Sequence, residues 1–98
     1  MNYSRSASHW WTNRLVDVNR KAKNQFARKL REEVEVITIE YGHCKLSSEP
    51  KANSILQKVL QECNIPSDKV PFGVSMDVWE NRIWVFHNGG RRETVFEV

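Results

Sequence analysis

Residues 74–98 read VSMDVWENRIWVFHNGGRRETVFEV, and this stretch decides the fold class. Apolar and polar residues alternate along most of it, as they do in half-buried strands. Asn81 and the Gly89-Gly90 pair suit the positive φ angles that hairpin turns require. The C-terminal quarter therefore predicts a three-stranded antiparallel meander. Its strands are residues 74–79, 82–87 and 93–98, and its turns are Glu80-Asn81 and residues 88–91.

Alternation assigns two faces to this meander, provided that both turns are two residues long. One face is apolar and is predicted to face the core. The other mixes charge with large aromatic side chains, and it places Arg82 opposite Glu97 and Asp77 opposite Trp84. The predicted core face carries Val74, Met76, Val78, Ile83, Val85, Thr94 and Phe96. The mixed face carries Ser75, Asp77, Trp79, Arg82, Trp84, Phe86, Glu93, Val95 and Glu97.

The mixed face leaves two main arrangements open, with partial burial of its aromatic residues as a third outcome. In the first, a long N-terminal helix lies across it and buries Trp79, Trp84 and Phe86. In the second, the helices share the core face and the three aromatic side chains stay exposed. Exposed aromatic residues on a sheet can stack unpaired bases or anchor a protein partner. Trp79, Trp84 and Phe86 are therefore candidates for a stacking or partner surface.

One further strand and one helix are predicted immediately upstream. The β-branched and aromatic residues of 34–41 predict a strand that ends at Gly42. After a polar loop at 43–48, Ser48 can cap a second helix, and Pro50 is tolerated in its first turn. Asn64 and Pro66 end that helix. Its predicted buried stripe consists of Ala52, Ile55, Leu56, Val59, Leu60 and Cys63.

The N-terminal third predicts one long helix, from Trp10 to Arg31. Its apolar residues recur at spacings of three and four, namely Trp11, Leu15, Val18, Ala22, Phe26 and Leu30. Residues 1–9 show no such period and are predicted to form a disordered tail. Residues 10–98 then make a single α+β domain of order α-β-α-β-β-β. In it a four-stranded, largely antiparallel sheet packs with two helices.

Charge is divided unevenly along the 98 residues, whose net charge is +3. Residues 1–31 carry eight Lys/Arg and one acidic residue, while residues 32–98 carry seven Lys/Arg and eleven acidic residues. The first segment therefore has a charge of +7 and the second −4. Such asymmetry concentrates positive potential on one element and favours a polyanion or an acidic protein surface as partner.

The basic helix predicts a small non-enzymatic module that binds RNA or DNA. The alternative is a regulatory or adaptor protein that acts by binding another protein or by homo-oligomerisation. The predicted nucleic-acid-binding residues are Arg14, Arg20, Lys21, Lys23, Arg28 and Lys29 of the helix, with Arg91 and Arg92 of the last turn.

Two weaker hypotheses concern histidine and cysteine. His43 and His87 could serve a toxin-like ribonuclease as acid and base. The same histidines with Cys44 and Cys63 have the residue types of a zinc site but not its paired spacing. No P-loop, dinucleotide fingerprint or nucleophile elbow occurs. We therefore assign no catalytic residue, no metal and no cofactor.

The sequence also bears on location. Residues 1–9 are polar, no targeting sequence is recognisable, and no apolar stretch approaches the ~20 residues that span a membrane. Two isolated cysteines fit a reducing compartment. The expectation is a cytoplasmic protein without membrane contact.

Overall fold

The computed structural model describes residues 2–49 and 54–98, which contain three α-helices, one short 3-10 helix and four β-strands. The helices are α1 (Asn2–Thr12), α2 (Arg20–Tyr41) and α3 (Ile55–Glu62), and the strands are β1 (Cys44–Ser47), β2 (Ser75–Trp79), β3 (Arg82–Phe86) and β4 (Arg92–Glu97). The strands form one antiparallel sheet in the order β1-β2-β3-β4. The predicted α+β class and four-stranded antiparallel sheet are confirmed, with one helix more than expected.

The β2–β3 hairpin has the predicted register. Trp79 pairs with Arg82, so Glu80-Asn81 is a two-residue turn, and Asp77 lies opposite Trp84. Val74, Met76, Val78, Ile83 and Val85 are all buried, as their alternation predicts.

A β-bulge in β4 reverses which side of the sheet each residue before the bulge faces. Ile83 pairs with Phe96 but Trp84 pairs with Thr94, which leaves Val95 as an extra residue. One extra residue reverses the alternation. Thr94, predicted on the core face, is therefore exposed beside Trp84, while Glu93 pairs with Val85 on the core side. The condition of two-residue turns also fails here, because the β3–β4 connection closes with a hydrogen bond from the His87 amide to the Arg91 carbonyl.

Residues 34–41 are helical, and the strand predicted there is wrong. They complete α2, whose residues Phe26, Leu30, Val34 and Thr38 form one buried row at a spacing of four. The lower helix propensity of β-branched residues amounts to a few tenths of a kcal/mol each, which burial of this row outweighs. Gly42 ends the helix with a φ of 78°, and its amide donates to the Thr38 carbonyl over 2.8 Å. The first strand is β1, within the predicted loop.

The predicted single helix from Trp10 to Arg31 is two helices, and residues 2–9 belong to the first of them rather than to a tail. Asn19 begins α2 by accepting a hydrogen bond from the Ala22 amide, and Asp17 turns the chain with a φ of 53°. The side chains of Tyr3, Ala7 and Trp11, at a spacing of four, are buried on α1. The two helices run antiparallel, since Ser4 near the start of α1 donates to Glu35 in the C-terminal half of α2.

Helix α3 begins later than predicted. Its N-cap is Ser54, whose side chain accepts from the Gln57 amide. Ser48 instead fastens β1 to the residue before β2, since its Oγ accepts from the Val74 amide at 3.0 Å and its amide donates to the Val74 carbonyl at 2.9 Å. Pro50 and Ala52 lie outside the described residues. The other predicted stripe residues that are buried are Leu56, Val59, Leu60 and Cys63.

The core lies between the helices and one face of the sheet. Trp11, Phe26 and Leu30 from α1 and α2 are fully buried in one cluster with Met76 and Ile83 of the sheet. Trp79, Trp84 and Phe86 are not part of this cluster, and each is partly exposed on the opposite face. The helices therefore share the core face, as in the second arrangement, but the three aromatic side chains are partly buried rather than fully exposed.

Candidate nucleic-acid interface

A groove runs along the outer surface of the α1–α2 hairpin. Its cavity volume is about 730 Å³. Among the described residues that line it none is acidic, whereas six are basic. Arg5 and His9 come from α1, and Arg20, Lys23, Arg28 and Arg31 come from α2. We call these six residues the basic groove.

The groove follows from how each helix buries its apolar side. Helix α1 turns Tyr3, Ala7 and Trp11 inward, so Arg5 and His9, also four residues apart, lie on another face. Helix α2 buries Phe26 and Leu30 in the same way. Antiparallel packing then sets the remaining basic rows of the two helices on either side of one depression.

The positive surface ends abruptly halfway along α2. A neighbouring depression is lined by Glu32, Glu35, Val36 and Ile39 together with Arg5 and Arg31. The N-terminal half of α2 is thus cationic and its C-terminal half is acidic and apolar. The positive end of the helix dipole lies at the cationic half, near Arg20, and adds to its potential. The uneven distribution of charge along the sequence therefore corresponds to a boundary between a basic and an acidic surface on α2.

The predicted basic residues do not all meet in this groove. Arg20, Lys23 and Arg28 line it, and Lys21 is exposed on α2 outside the lining. The Lys29 Nζ lies 3.9 Å from a carboxylate oxygen of Glu62 on α3.

Three further predicted residues lie nearer the sheet. The guanidinium of Arg14 is stacked 3.8 Å from the Trp10 ring centroid, and its Nη1 donates to the Trp10 carbonyl over 3.0 Å. Arg91 is exposed in the β3–β4 connection, and Arg92 lies on the outer face of the sheet.

Three of the six groove residues are not among the binding residues predicted from the sequence. Arg5 and His9 are predicted to lie in a disordered tail, and Arg31 at the end of a helix that in fact continues. The spacing of Tyr3, Ala7 and Trp11 is the signal that could have shown α1. It is short, and the polar residues around it conceal it.

The outer face of the sheet carries a continuous series of planar side chains, His43, Trp79, Arg82, Trp84 and Arg92, which we call the outer-face stack. The rings of His43 and Trp79 lie 4.8 Å apart, and those of Trp79 and Trp84 lie 5.2 Å apart, edge to face. The Arg82 guanidinium is 4.5 Å from the Trp79 centroid and 4.7 Å from that of Trp84. Arg92 lies 4.5 Å from the Trp84 centroid. Such contacts hold cationic groups in place against aromatic rings.

The third predicted aromatic residue has a different setting. Phe86 is partly exposed at the end of β3, where it pairs with Arg92 across the strands. At the other end of the stack, the His43 Nε2 donates to a carboxylate oxygen of Asp77 over 2.9 Å. The stack therefore has one end where His43 is bonded to a carboxylate and one cationic end at Arg92.

A second polar cluster fastens α1 to the sheet. Glu93 accepts hydrogen bonds from the His87 Nε2 at 2.8 Å and from the Trp10 indole at 3.4 Å. The hydrogen bond from His87 lowers the pKa of the Glu93 carboxyl, burial opposes that shift, and Trp10 and the charge of Arg14 add to it. Glu93 reaches this position because the bulge turns it to the core side.

Glu93→Gln is expected to remove part of the acid sensitivity of folding. Because the pKa of Glu93 is lowered in the folded state, its stabilisation is present above the usual value of 4.5 and is lost as the pH falls through the native pKa. Thermal unfolding between pH 3 and pH 7 measures the effect. The variant is expected to be less stable at pH 7 and to lose less stability toward pH 3. Glu80→Gln, at an exposed turn residue, is the control, and equal pH profiles for the two variants would refute the role of Glu93.

The histidines and cysteines are not brought together. His43 lies on the outer face, whereas His87 packs beside Trp10 at a ring distance of 6.1 Å on the core side. Cys44 and Cys63 are free and buried, and burial raises the pKa of Cys44 to about 12. Within residues 2–49 and 54–98, no three His, Cys, Asp or Glu side chains are placed to hold a metal ion.

No protein-family model matches the chain, and no curated protein is significantly similar to it. The part of the chain that the structure describes has no helix both long and apolar enough to cross a membrane.

Proposed function

We propose that this protein is a non-enzymatic nucleic-acid-binding module that holds a phosphate backbone in the basic groove. One observation carries the proposal. Two helices contribute five Lys/Arg side chains and His9 to one depression, and the described residues that line it include no carboxylate. Solubility alone does not require basic residues of two helices to line the same groove.

The groove has suitable dimensions for a backbone. From Arg20 to Arg31 the α2 axis rises about 16 Å at 1.5 Å per residue. At 3.4 Å per nucleotide of one strand, that length covers about five phosphates of B-form DNA. Each neutralised phosphate releases counterions, which makes binding strongly dependent on salt. Backbone contacts of this kind bind many sequences with similar affinity.

Removal of groove charge is expected to weaken binding selectively. In titrations of a fluorescent oligonucleotide at about 50 mM salt, Lys23→Gln/Arg28→Gln is expected to bind about tenfold more weakly or worse. The slope of log binding constant against log salt concentration is expected to decrease in magnitude by about one for each phosphate that the groove no longer neutralises. Lys21→Gln/Lys69→Gln removes the same charge outside the groove and is expected to retain most of the affinity. Failure of the unmodified protein to bind at low salt, or equal losses of affinity in both double variants, would contradict the proposal.

An adaptor role is the second candidate, and a specific observation favours it. In the C-terminal part of α2, Val36, Ile39 and Tyr41 are 59%, 67% and 71% exposed, respectively. Val36 and Ile39 line one depression, and adjacent exposed apolar side chains are typical of surfaces that bind another copy or another protein. Light scattering separates the two candidates. A self-associated protein that binds no oligonucleotide at low salt would favour the adaptor role.

We also propose a cytoplasmic location. The observation in its favour is that both cysteines are buried as free thiols. Disulfides are rare where the compartment is reducing.

A further inference from the structure

The outer-face stack contains cations that the rest of the described chain does not neutralise. Glu97 is directly opposite Arg82 in the register, yet the Arg82 guanidinium lies against Trp79 and Trp84. Arg82 and Arg92 have no ion pair within residues 2–49 and 54–98. Stacking thus holds two guanidiniums on the outer face, that of Arg82 partly buried against two indoles and that of Arg92 exposed.

Two hydrogen-bond donors in the stack also have no partner. The Nε of Arg82 and the indole Nε1 of Trp84 are shielded from solvent and meet no acceptor among the described residues. A shielded donor without an acceptor is unfavourable, so native structures rarely retain one without a reason. An arriving group with carbonyl or phosphate oxygens could accept from these donors once the side chains that shield them move aside.

The end of the stack is open to a further planar group. Arg92 is exposed and is the last member of the series, whereas Arg82 is enclosed between two indoles. Proteins that bind single strands stack unpaired bases on aromatic rings and on guanidinium planes. A paired base does not offer its face in this way. The stack therefore has the chemistry of a base-binding surface, with phosphate-binding cations within it.

A chain of side-chain contacts connects this face with the basic groove, and it includes the Glu93 carboxylate as well as basic residues. Arg14 follows Asn13, which lines the end of the groove, and Arg14 stacks on Trp10. Trp10 contacts His87, whose amide is bonded across the turn to Arg91, the residue before Arg92. One flexible strand could follow these side chains around the edge of the sheet.

We propose that the outer-face stack binds unpaired bases of a single-stranded nucleic acid whose backbone also occupies the basic groove. This inference rests on the proposed function and adds a ligand class to it. The groove accepts any phosphate backbone, and the stack selects strands whose bases are free.

The experiment compares two ligands of equal charge, a single strand of fifteen thymidines and an abasic strand with the same number of phosphates. The unmodified protein is expected to bind the thymidine strand roughly 5- to 150-fold more tightly, which corresponds to one stacked base. Arg92→Gln and Trp84→Leu are expected to bring this ratio close to one. Arg91→Gln removes the neighbouring charge and is expected to keep the ratio. Arg92 is exposed, so its variant remains informative even if Trp84→Leu unfolds.

The outcomes separate this inference from the proposed function. Equal affinity for the two strands would overturn the stack as a base site and leave the groove standing. Loss of the preference in Arg91→Gln as large as in Arg92→Gln would also overturn it. Lys23→Gln/Arg28→Gln is expected to weaken both ligands and keep the ratio. If neither strand binds at low salt, both proposals are refuted. In a competition experiment, displacement of the thymidine strand by polyglutamate at equal charge concentration would favour an acidic protein partner instead.

Discussion

Replacement of Tyr3 by alanine is expected to lower the free energy of unfolding by about 3 kcal/mol or more. The Tyr3 side chain is only 2% exposed and belongs to the core cluster with Trp11 and Phe26. Burial raises the pKa of its hydroxyl, and the charge of Glu35 adds to this. Truncation would leave a cavity between α1 and its neighbours. Small domains have about 5–15 kcal/mol of stability in total, so the loss would be large.

Chemical denaturation with urea measures this change, and Asn2→Ala is the matched control. Asn2 is exposed one residue earlier in the same helix, so its loss is expected to change stability by no more than about 0.5 kcal/mol. A Tyr3→Ala protein as stable as Asn2→Ala would mean that residues 2–9 form a detached tail. That outcome would also remove Arg5 and His9 from the groove.

Val36→Pro is expected to destabilise the protein by about 3 kcal/mol. The reason lies in the backbone, because the Val36 side chain is exposed and loses little packing. Proline removes the amide that bonds to the carbonyl of Glu32 in α2, and its ring collides with that carbonyl. Circular dichroism during urea unfolding gives both the stability and the loss of helix.

Val36→Ala distinguishes a helix from a strand at the same position. Alanine is the better helix former, so this variant is expected to be as stable as the unmodified protein or more stable by a few tenths of a kcal/mol. Valine is favoured in strands, and a strand at 34–41 would make Val36→Ala destabilising. Destabilisation by alanine together with tolerance of proline would contradict the helical assignment.

The C-terminal meander could be predicted because its determinants are local. Alternation from Val74 to Phe86 fixes both faces, and a two-residue turn at Glu80-Asn81 fixes the register between β2 and β3. The bulge at Val95 could not be predicted in this way. No residue type marks it, and its effect on Glu93 becomes clear only when the partner strand is in place.

The N-terminal half is harder to predict because two local signals disagree with the packing. A run of β-branched residues from Val34 to Ile39 indicates a strand, yet a row at a spacing of four continues through it from Phe26. Strand propensity is a weak preference that depends on context. The break before Arg20 has no glycine or proline, and only Asp17 and the N-cap Asn19 mark it.

The candidate site shows the same limit. The sequence identifies which residues are basic and locates most of them near the N terminus. It cannot show which of them share a surface, since that depends on α1 packing beside α2. Arg14 and Lys29 are therefore drawn into contacts with Trp10 and Glu62, and Arg5 and Arg31 take places in the groove. Trp79 and Trp84 stay partly exposed because α1 and α2 lie on the other face.

The most direct test of the central claim is a nitrogen–proton NMR titration with a single-stranded oligonucleotide at low salt. The proposal predicts the largest shift changes at the amides of His9, Lys23 and Arg28, with further changes at the Trp84 indole. The chemical shifts of the amides of α3 (Ile55–Glu62) are expected not to change. Changes confined to α3, or to Val36 and Ile39 with none in the groove, would contradict a phosphate-binding groove between α1 and α2.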